Sequence, residues 1–247
     1  MPATPWDVAR QLANVVAVVA QLGTLAFFLL TGGNFGEPTL IEPAGYAFVI
    51  WRVIYTGSIV HAGYQLLPSR RADPLLRRIG WQTAAANLGV AVWLVLAWFE
   101  WMWLTLACML WIVAFAAPAF FRSARSASLS AVERGCVSIP LGLLCGWLTS
   151  AVFTNVAAAL KASGWHDAWM PEDWWALGLM AAAGAAGVAG TITARGSLTY
   201  GSALVWAFVA TAVANVHRGP HPLLAGVSAG LAVLVVGAVA TARRARG

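Results

Sequence analysis

Charge is what this sequence has least of. Only 10% of its 247 residues are Asp, Glu, Lys or Arg, against about 25% in a typical soluble domain. A surface that poor in charge excludes an ordinary water-soluble protein. Lysine is reduced to Lys161, in a connection between apolar runs, which excludes a retinal Schiff-base protein, since that chemistry needs a lysine inside the bundle. No Asp or Glu falls in the middle of an apolar run, and that argues against a proton pump. The three cysteines, Cys108, Cys136 and Cys145, lie in or beside apolar stretches without metal-ligand spacing, so they read as small buried hydrophobes. There is no His-Glu-x-x-His, no nucleophile elbow and no Gly-rich phosphate loop, and no metal or catalytic group is expected.

What the chain has instead is apolar length. Hydrophobic residues make up 60% of it and the mean hydropathy is +0.75. A hydrocarbon core of about 30 Å needs roughly 20 apolar residues per spanning helix. Runs near that length fall at about 8–30, 46–67, 79–99, 103–121, 132–160, 174–193, 198–216 and 223–242. They are continuous rather than alternating, which favours helices over a barrel. The expectation is an all-α, polytopic transmembrane helix bundle of about eight spans, a single membrane domain over 1–247. No signal-peptide cleavage pattern follows the first run, which therefore reads as a retained span.

The charges present are sorted. With the N-terminus cytoplasmic, the inner connections and termini hold Arg10, Arg70, Arg71, Arg77, Arg78, Arg122, Arg125, Arg134, Arg195, Arg243, Arg244 and Arg246. The outer side holds Lys161 and Arg218. That is a strong positive-inside bias, and it predicts a bacterial inner-membrane protein, multi-pass, with both termini cytoplasmic. The basic charge is spent on orientation, so no nucleic-acid partner is expected. Membrane lipids, a small hydrophobic ligand and a second copy of the chain in a homodimer are the partners considered.

Small residues supply close helix contacts in lipid. Gly142-x-x-x-Gly146, Gly226-x-x-x-Gly230 and the Gly178, Gly184, Gly187, Gly190 series have that spacing. Ser130 with Glu133 reads as a capping box, Pro118 as the last turn of the fourth helix, and Pro140 as a kink.

Several polar residues lie within spans. Arg52, about two turns into the second helix, reads as a pocket charge for an anionic ligand, as a partner of Glu42 or Glu100, or as a snorkelling side chain. His61 on the same helix reads as an axial ligand, a proton relay or a hydrogen-bonded core histidine. Asn14, Asn87, Asn155 and Asn215 each need an interhelical or backbone partner. Of 14 tryptophans, those at span ends read as interfacial anchors. Trp51, Trp93, Trp111, Trp147 and Trp206 lie inside spans and read either as flat walls for an apolar ligand or as packing.

The segment Glu42-Pro43-Ala44-Gly45-Tyr46-Ala47-Phe48-Val49-Ile50-Trp51-Arg52-Val53-Ile54-Tyr55 resembles the signature entering the second helix of the tryptophan-rich sensory protein / translocator protein family. Pro43, Gly45, Tyr46, Phe48, Trp51 and Tyr55 match in place. Pro140, Gly146, Trp147 and Asn155 are similar to the fifth helix of the longer bacterial members. Most members have a small residue where this chain has Arg52. The resemblance covers 8–160 as a five-helix part and leaves 174–242 as three additional helices.

The resemblance implies a membrane receptor or sensor that binds a flat hydrophobic molecule such as a tetrapyrrole, with porphyrin or haem as ligand rather than resident cofactor. The implied pocket comprises Trp51, Arg52, Tyr55, Trp93, Trp147 and Asn155, with His61 and Asn87 as polar or axial groups. Two alternatives stay open. One is a transporter of a small lipophilic anion. The other is an integral membrane enzyme acting on a lipid or pigment, drawing on His61 and the cluster His166, Asp167, Glu172 and Asp173.

Overall fold

The computed structural model describes residues 3–33, 38–126, 129–165, 170–219 and 221–245. His166, Asp167, Trp169 and Arg246 lie outside the described residues. Among those described, the regular structure is helical throughout. Two compact units emerge: Met1–Phe35 with Trp51–Leu141, and Gly36–Ile50 with Gly142–Gly247.

The first unit holds α1 (Pro5–Leu30), α2 (Ile50–Leu66), α3 (Pro74–Trp98), α4 (Met102–Arg125) and the start of α5 (Ala131–Ala162). Its centre is α3, which packs against both α1 and α4. The apolar window of α3 is 61% buried, against 28% for α1 and 33% for α4. Glycine lets the helices approach: a Cβ at Gly89 would sit 2.7 Å from Cγ1 of Ile112. There the Cys108 thiol donates to the Gly89 carbonyl at 3.2 Å, and Trp111 Nε1 donates to the Ala85 carbonyl at 3.2 Å. The turn from α3 to α4 is a Schellman closure. Glu100 N–H donates to Ala97 O and Trp101 N–H to Leu96 O. Glu100 takes the left-handed position, φ 55°, where glycine is the usual choice.

The second unit holds the rest of α5 with α6 (Glu172–Thr193), α7 (Leu198–His217) and α8 (Pro222–Arg244). The last helix, α8, packs on α7 and on α6. A Cβ at Gly146 would strike the Tyr200 carbonyl oxygen and lie 2.9 Å from Cβ of Ala203. Gly184, Gly187 and Gly190 likewise stand directly against Leu231, Leu204 and Tyr200. Gly226 and Gly230 do not: a Cβ at either meets nothing within 4 Å. The helix-eight spacing is therefore no contact within the described residues, unlike Gly146.

Among the described residues a helix stands in each of the eight stretches expected to span, and the chain is an all-α, polytopic membrane protein. Seven are long and apolar enough to cross a membrane by length and composition. The eighth, α2, has 17 residues, and the 3₁₀ turn Gly45–Val49 leads directly into it. Boundaries differ from the sequence expectation where capping decides. The third helix starts at Pro74, not near 79, because the Asp73 carboxylate accepts the Leu75 and Leu76 N–H groups and proline suits the first turn. Arg77 and Arg78 are thus helical. Arg10 is helical too. Pro118 lies inside α4, which runs on to Arg125. The Ser130–Glu133 capping box is present.

The contrast between the glycines gives a direct test. Alanine is favoured over glycine in a helix by about 1 kcal/mol. Gly226→Ala should therefore hold or raise the melting temperature of the purified protein in detergent. Gly146→Ala should lower it, because the added methyl forces α5 and α7 apart.

Candidate functional site

In the first unit three aromatic rings meet. Trp51 and Tyr55 are one turn apart on α2, with ring centroids 5.6 Å apart. Trp93, from the buried side of α3, stacks on Trp51 at 5.9 Å and 20° between planes. Trp93 and Tyr55 are each 6% exposed. The Trp51 ring is half-buried, but its Nε1–H is fully buried and has no hydrogen-bond partner among the described residues. An indole N–H left without an acceptor in an apolar surround costs about 1–3 kcal/mol, which a ligand acceptor would relieve.

Beneath these rings runs a polar seam, built on one backbone defect. Proline has no N–H, so Pro140 cannot donate to the carbonyl four residues before it, that of Cys136. A π-turn, Arg134–Ser138, stands just before the proline. His61 reaches across from α2 and its Nδ1 lies 3.0 Å from the Cys136 oxygen. A carbonyl only accepts, so Nδ1 carries the proton. His61 Nε2 lies 2.9 Å from the Gln65 amide nitrogen, which only donates, so Nε2 accepts. The ring is neutral and both nitrogens are engaged. Gly57 permits the approach: a Cβ there would lie 3.0 Å from Cβ of Pro140.

The seam continues into α1 and α3. Gln65 Oε1 accepts from Arg10 at 3.3 Å, and the Gln65 carbonyl accepts from Gln11. Arg10, 1% exposed, also donates to the Arg71 carbonyl at 2.8 Å. Asp7 lies 3.8 Å from Arg10 and takes a two-pronged bond from Arg77, at 2.8 and 2.6 Å. Asn14 donates to the Gly80 carbonyl and accepts from Thr83 at 2.7 Å. Ser58 donates to Asn87 Oδ1 at 3.2 Å.

These contacts set α1 and α3 in parallel register, Asp7 beside Arg77 and Asn14 beside Gly80 and Thr83. Continuing that register, an offset of 66–70 residues, puts Gln21 against the stretch 87–91 of α3. Gln21 is 0% exposed, and neither its side-chain amide nitrogen nor its amide oxygen has a partner among the described residues. Sequence reasoning passed over Gln21, Gln65 and the burial of Arg10. The signal was available: Asp7, Asn14 and Gln21 recur every seven residues along one apolar helix.

The remaining expected site residues have these surroundings. Arg52 is exposed on α2 and has no ion pair among the described residues, neither with Glu42 nor with Glu100. His61 is a hydrogen-bonded core histidine. Trp147 and Asn155 belong to the second unit. Trp147 packs edge-on against Phe48 at 5.8 Å, and Asn155 donates to the Ala151 carbonyl. Trp206 donates to the Ala47 carbonyl at 2.9 Å and meets Tyr46 edge-on. Within that unit α7 also grips the loop leading to the 3₁₀ turn. Asn215 donates to the Leu40 carbonyl, and Arg218 to those of Glu42 and Pro43. Burial pushes the Glu42 carboxyl above its usual range, partly opposed by the Arg218 charge. Asp173 pairs with His221 at 3.0 Å. No His, Cys, Asp and Glu cluster able to hold a metal occurs among the described residues.

A family model described as TSPO-like protein matches residues 10–241. The match runs on through the last three helices, beyond the part carried by the helix-two signature. No curated protein and no solved structure matches the chain.

The His61 bond to Cys136 can be isolated by a double-mutant cycle. His61→Leu strands a buried carbonyl and should cost about 1–3 kcal/mol. Pro140→Ala returns the missing N–H, so the double variant should lose clearly less than the two single losses combined. Strict additivity in detergent unfolding would show that the two groups do not act on one carbonyl.

Proposed function

The chain belongs to the TSPO-like protein family, and from that premise we propose that it is a membrane receptor or sensor for a flat, largely apolar molecule such as a tetrapyrrole. One observation carries the proposal: the stacked indoles of Trp51 and Trp93, with the Trp51 N–H buried and unanswered. Flat aromatic walls favour a flat ligand, and a few placed polar groups set its orientation. Tyr55 extends the wall, and Gln21 on α1 offers a further buried donor and acceptor without partners among the described residues. Arg52, next to Trp51 in the chain and exposed, supplies the positive charge that a ligand carboxylate would seek. The neutral, doubly bonded His61 does not offer an axial nitrogen, so binding rests on shape and stacking rather than ligation.

The same reading places the protein in a bacterial inner membrane with both termini cytoplasmic. It rests on the arginine-rich connections 69–78 and 122–134 and on the arginine-poor ones near 100 and 161–173.

Protoporphyrin titrated into the purified protein should quench tryptophan fluorescence saturably. Stacking on an aromatic ring is worth about 0.5–1.5 kcal/mol, so Trp51→Ala or Trp93→Ala should weaken binding by about three- to tenfold. Arg52→Gln should weaken protoporphyrin while leaving its dimethyl ester unchanged. Absence of saturable quenching in the intact protein would remove the receptor reading.

A further inference from the structure

The arginine-rich end of the first unit carries a half-open cavity of about 590 Å³, between the start of α3, the end of α4 and Leu129 and Glu133 at the start of α5. It is separate from the aromatic rings and from the seam. Two acidic and three basic residues are among those lining it: Asp73, Glu133, Arg78, Arg122 and Arg125.

The carboxylates are already engaged. Asp73 accepts two backbone N–H groups at the start of α3 and pairs with Arg70 at 3.3 Å. Glu133 accepts the N–H and hydroxyl of Ser130, each at 2.8 Å, and pairs with the same Arg70 at 3.2 Å. Arg70 thus ties the two acids together from outside the cavity lining and offsets one of their two charges.

Two of the lining arginines, Arg78 and Arg122, meet no carboxylate among the described residues. Arg122 donates to a neutral acceptor, Gln82 Oε1, at 2.6 Å. Arg125 and Arg122 are three residues apart on α4, and the Arg125 guanidinium lies 5.9 Å over the Phe121 ring. Such a group of planar forks matches the oxygens of a phosphate. Pro74, Leu75 and Leu129 complete the wall with apolar surface, which suits a phosphate attached to carbon rather than inorganic phosphate alone.

We propose that this cavity binds a phosphate ester, of the kind carried by an anionic membrane lipid headgroup or by a small soluble phosphate ester. Its place at the ends of two spanning helices puts it within reach of a headgroup.

The test uses the full chain, stripped of lipid in a neutral detergent. Retention of phosphatidylglycerol and of phosphatidylcholine is read by native mass spectrometry, and thermal shift is read with glycerol 3-phosphate. Phosphatidylglycerol should be retained preferentially. Arg78→Gln with Arg122→Gln should lower that retention by about tenfold, the size expected for lost charge-assisted bonds. Arg243→Gln with Arg244→Gln, on α8, should leave it unchanged. Glycerol 3-phosphate that stabilises the wild type and displaces the lipid supports the same chemistry and assigns the site to a soluble ester. Should the Gln pair fail to fold by circular dichroism, Arg78→Lys with Arg122→Lys keeps the charge but loses the fork, and it should still lower retention. Equal retention of the two lipids by the wild type, undiminished retention in a folded cavity variant, or equal loss in the α8 control would overturn the proposal.

Discussion

A carbonyl buried among spanning helices must find a donor, because hydrocarbon supplies none. Much of the first unit follows from how that demand is met at Cys136. Pro140 withholds the intrahelical N–H, and His61 provides a substitute from α2. That bond fixes which histidine nitrogen carries the proton. The free nitrogen then dictates which end of the Gln65 amide faces it. The other end of the amide faces Arg10, whose guanidinium is thereby drawn into the interior. One missing hydrogen atom in α5 thus orders side chains on α2 and α1, and Gly57 makes the necessary closeness affordable to the backbone.

Lipid gives helices no hydrophobic reason to associate, so the second unit relies on closeness and on capture of loop carbonyls. Gly146, Gly184 and Gly190 bring neighbours to backbone distance. At the end of α7, Asn215 and Arg218 hold the carbonyls of Leu40, Glu42 and Pro43 in the loop before the 3₁₀ turn. The Leu40–Pro43 segment is therefore held by side chains more than a hundred and sixty residues later in the chain. The seventh helix is thus a structural partner of the first residues of the signature segment.

The helical membrane class was legible because it rests on composition and run length, which need no tertiary knowledge. So was the pairing of Trp51 with Tyr55, one turn apart, and the cap at Ser130. The start of α3 was misplaced because Arg77 and Arg78 look like connection residues, whereas Asp73 and Pro74 cap a helix that includes them. The Gly226–Gly230 spacing looked identical to Gly142–Gly146, yet only the partner helix decides whether a small residue is a contact. Arg52 drew attention by its depth in the helix, but depth along an axis says nothing of the side it faces. Arg10 hid among orientation charges, since burial of a terminal arginine depends on Asp7, Gln65 and Arg71 arriving together.

That arrangement bears on biogenesis. Arg10 finds its acceptors 55 and 61 residues further along the chain, at Gln65 and Arg71, and Asp7 meets Arg77 70 residues on. When the first hydrophobic segment leaves the ribosome, none of these exists. The buried contacts of Asp7 and Arg10 can therefore close only once the start of the third helix has been translated.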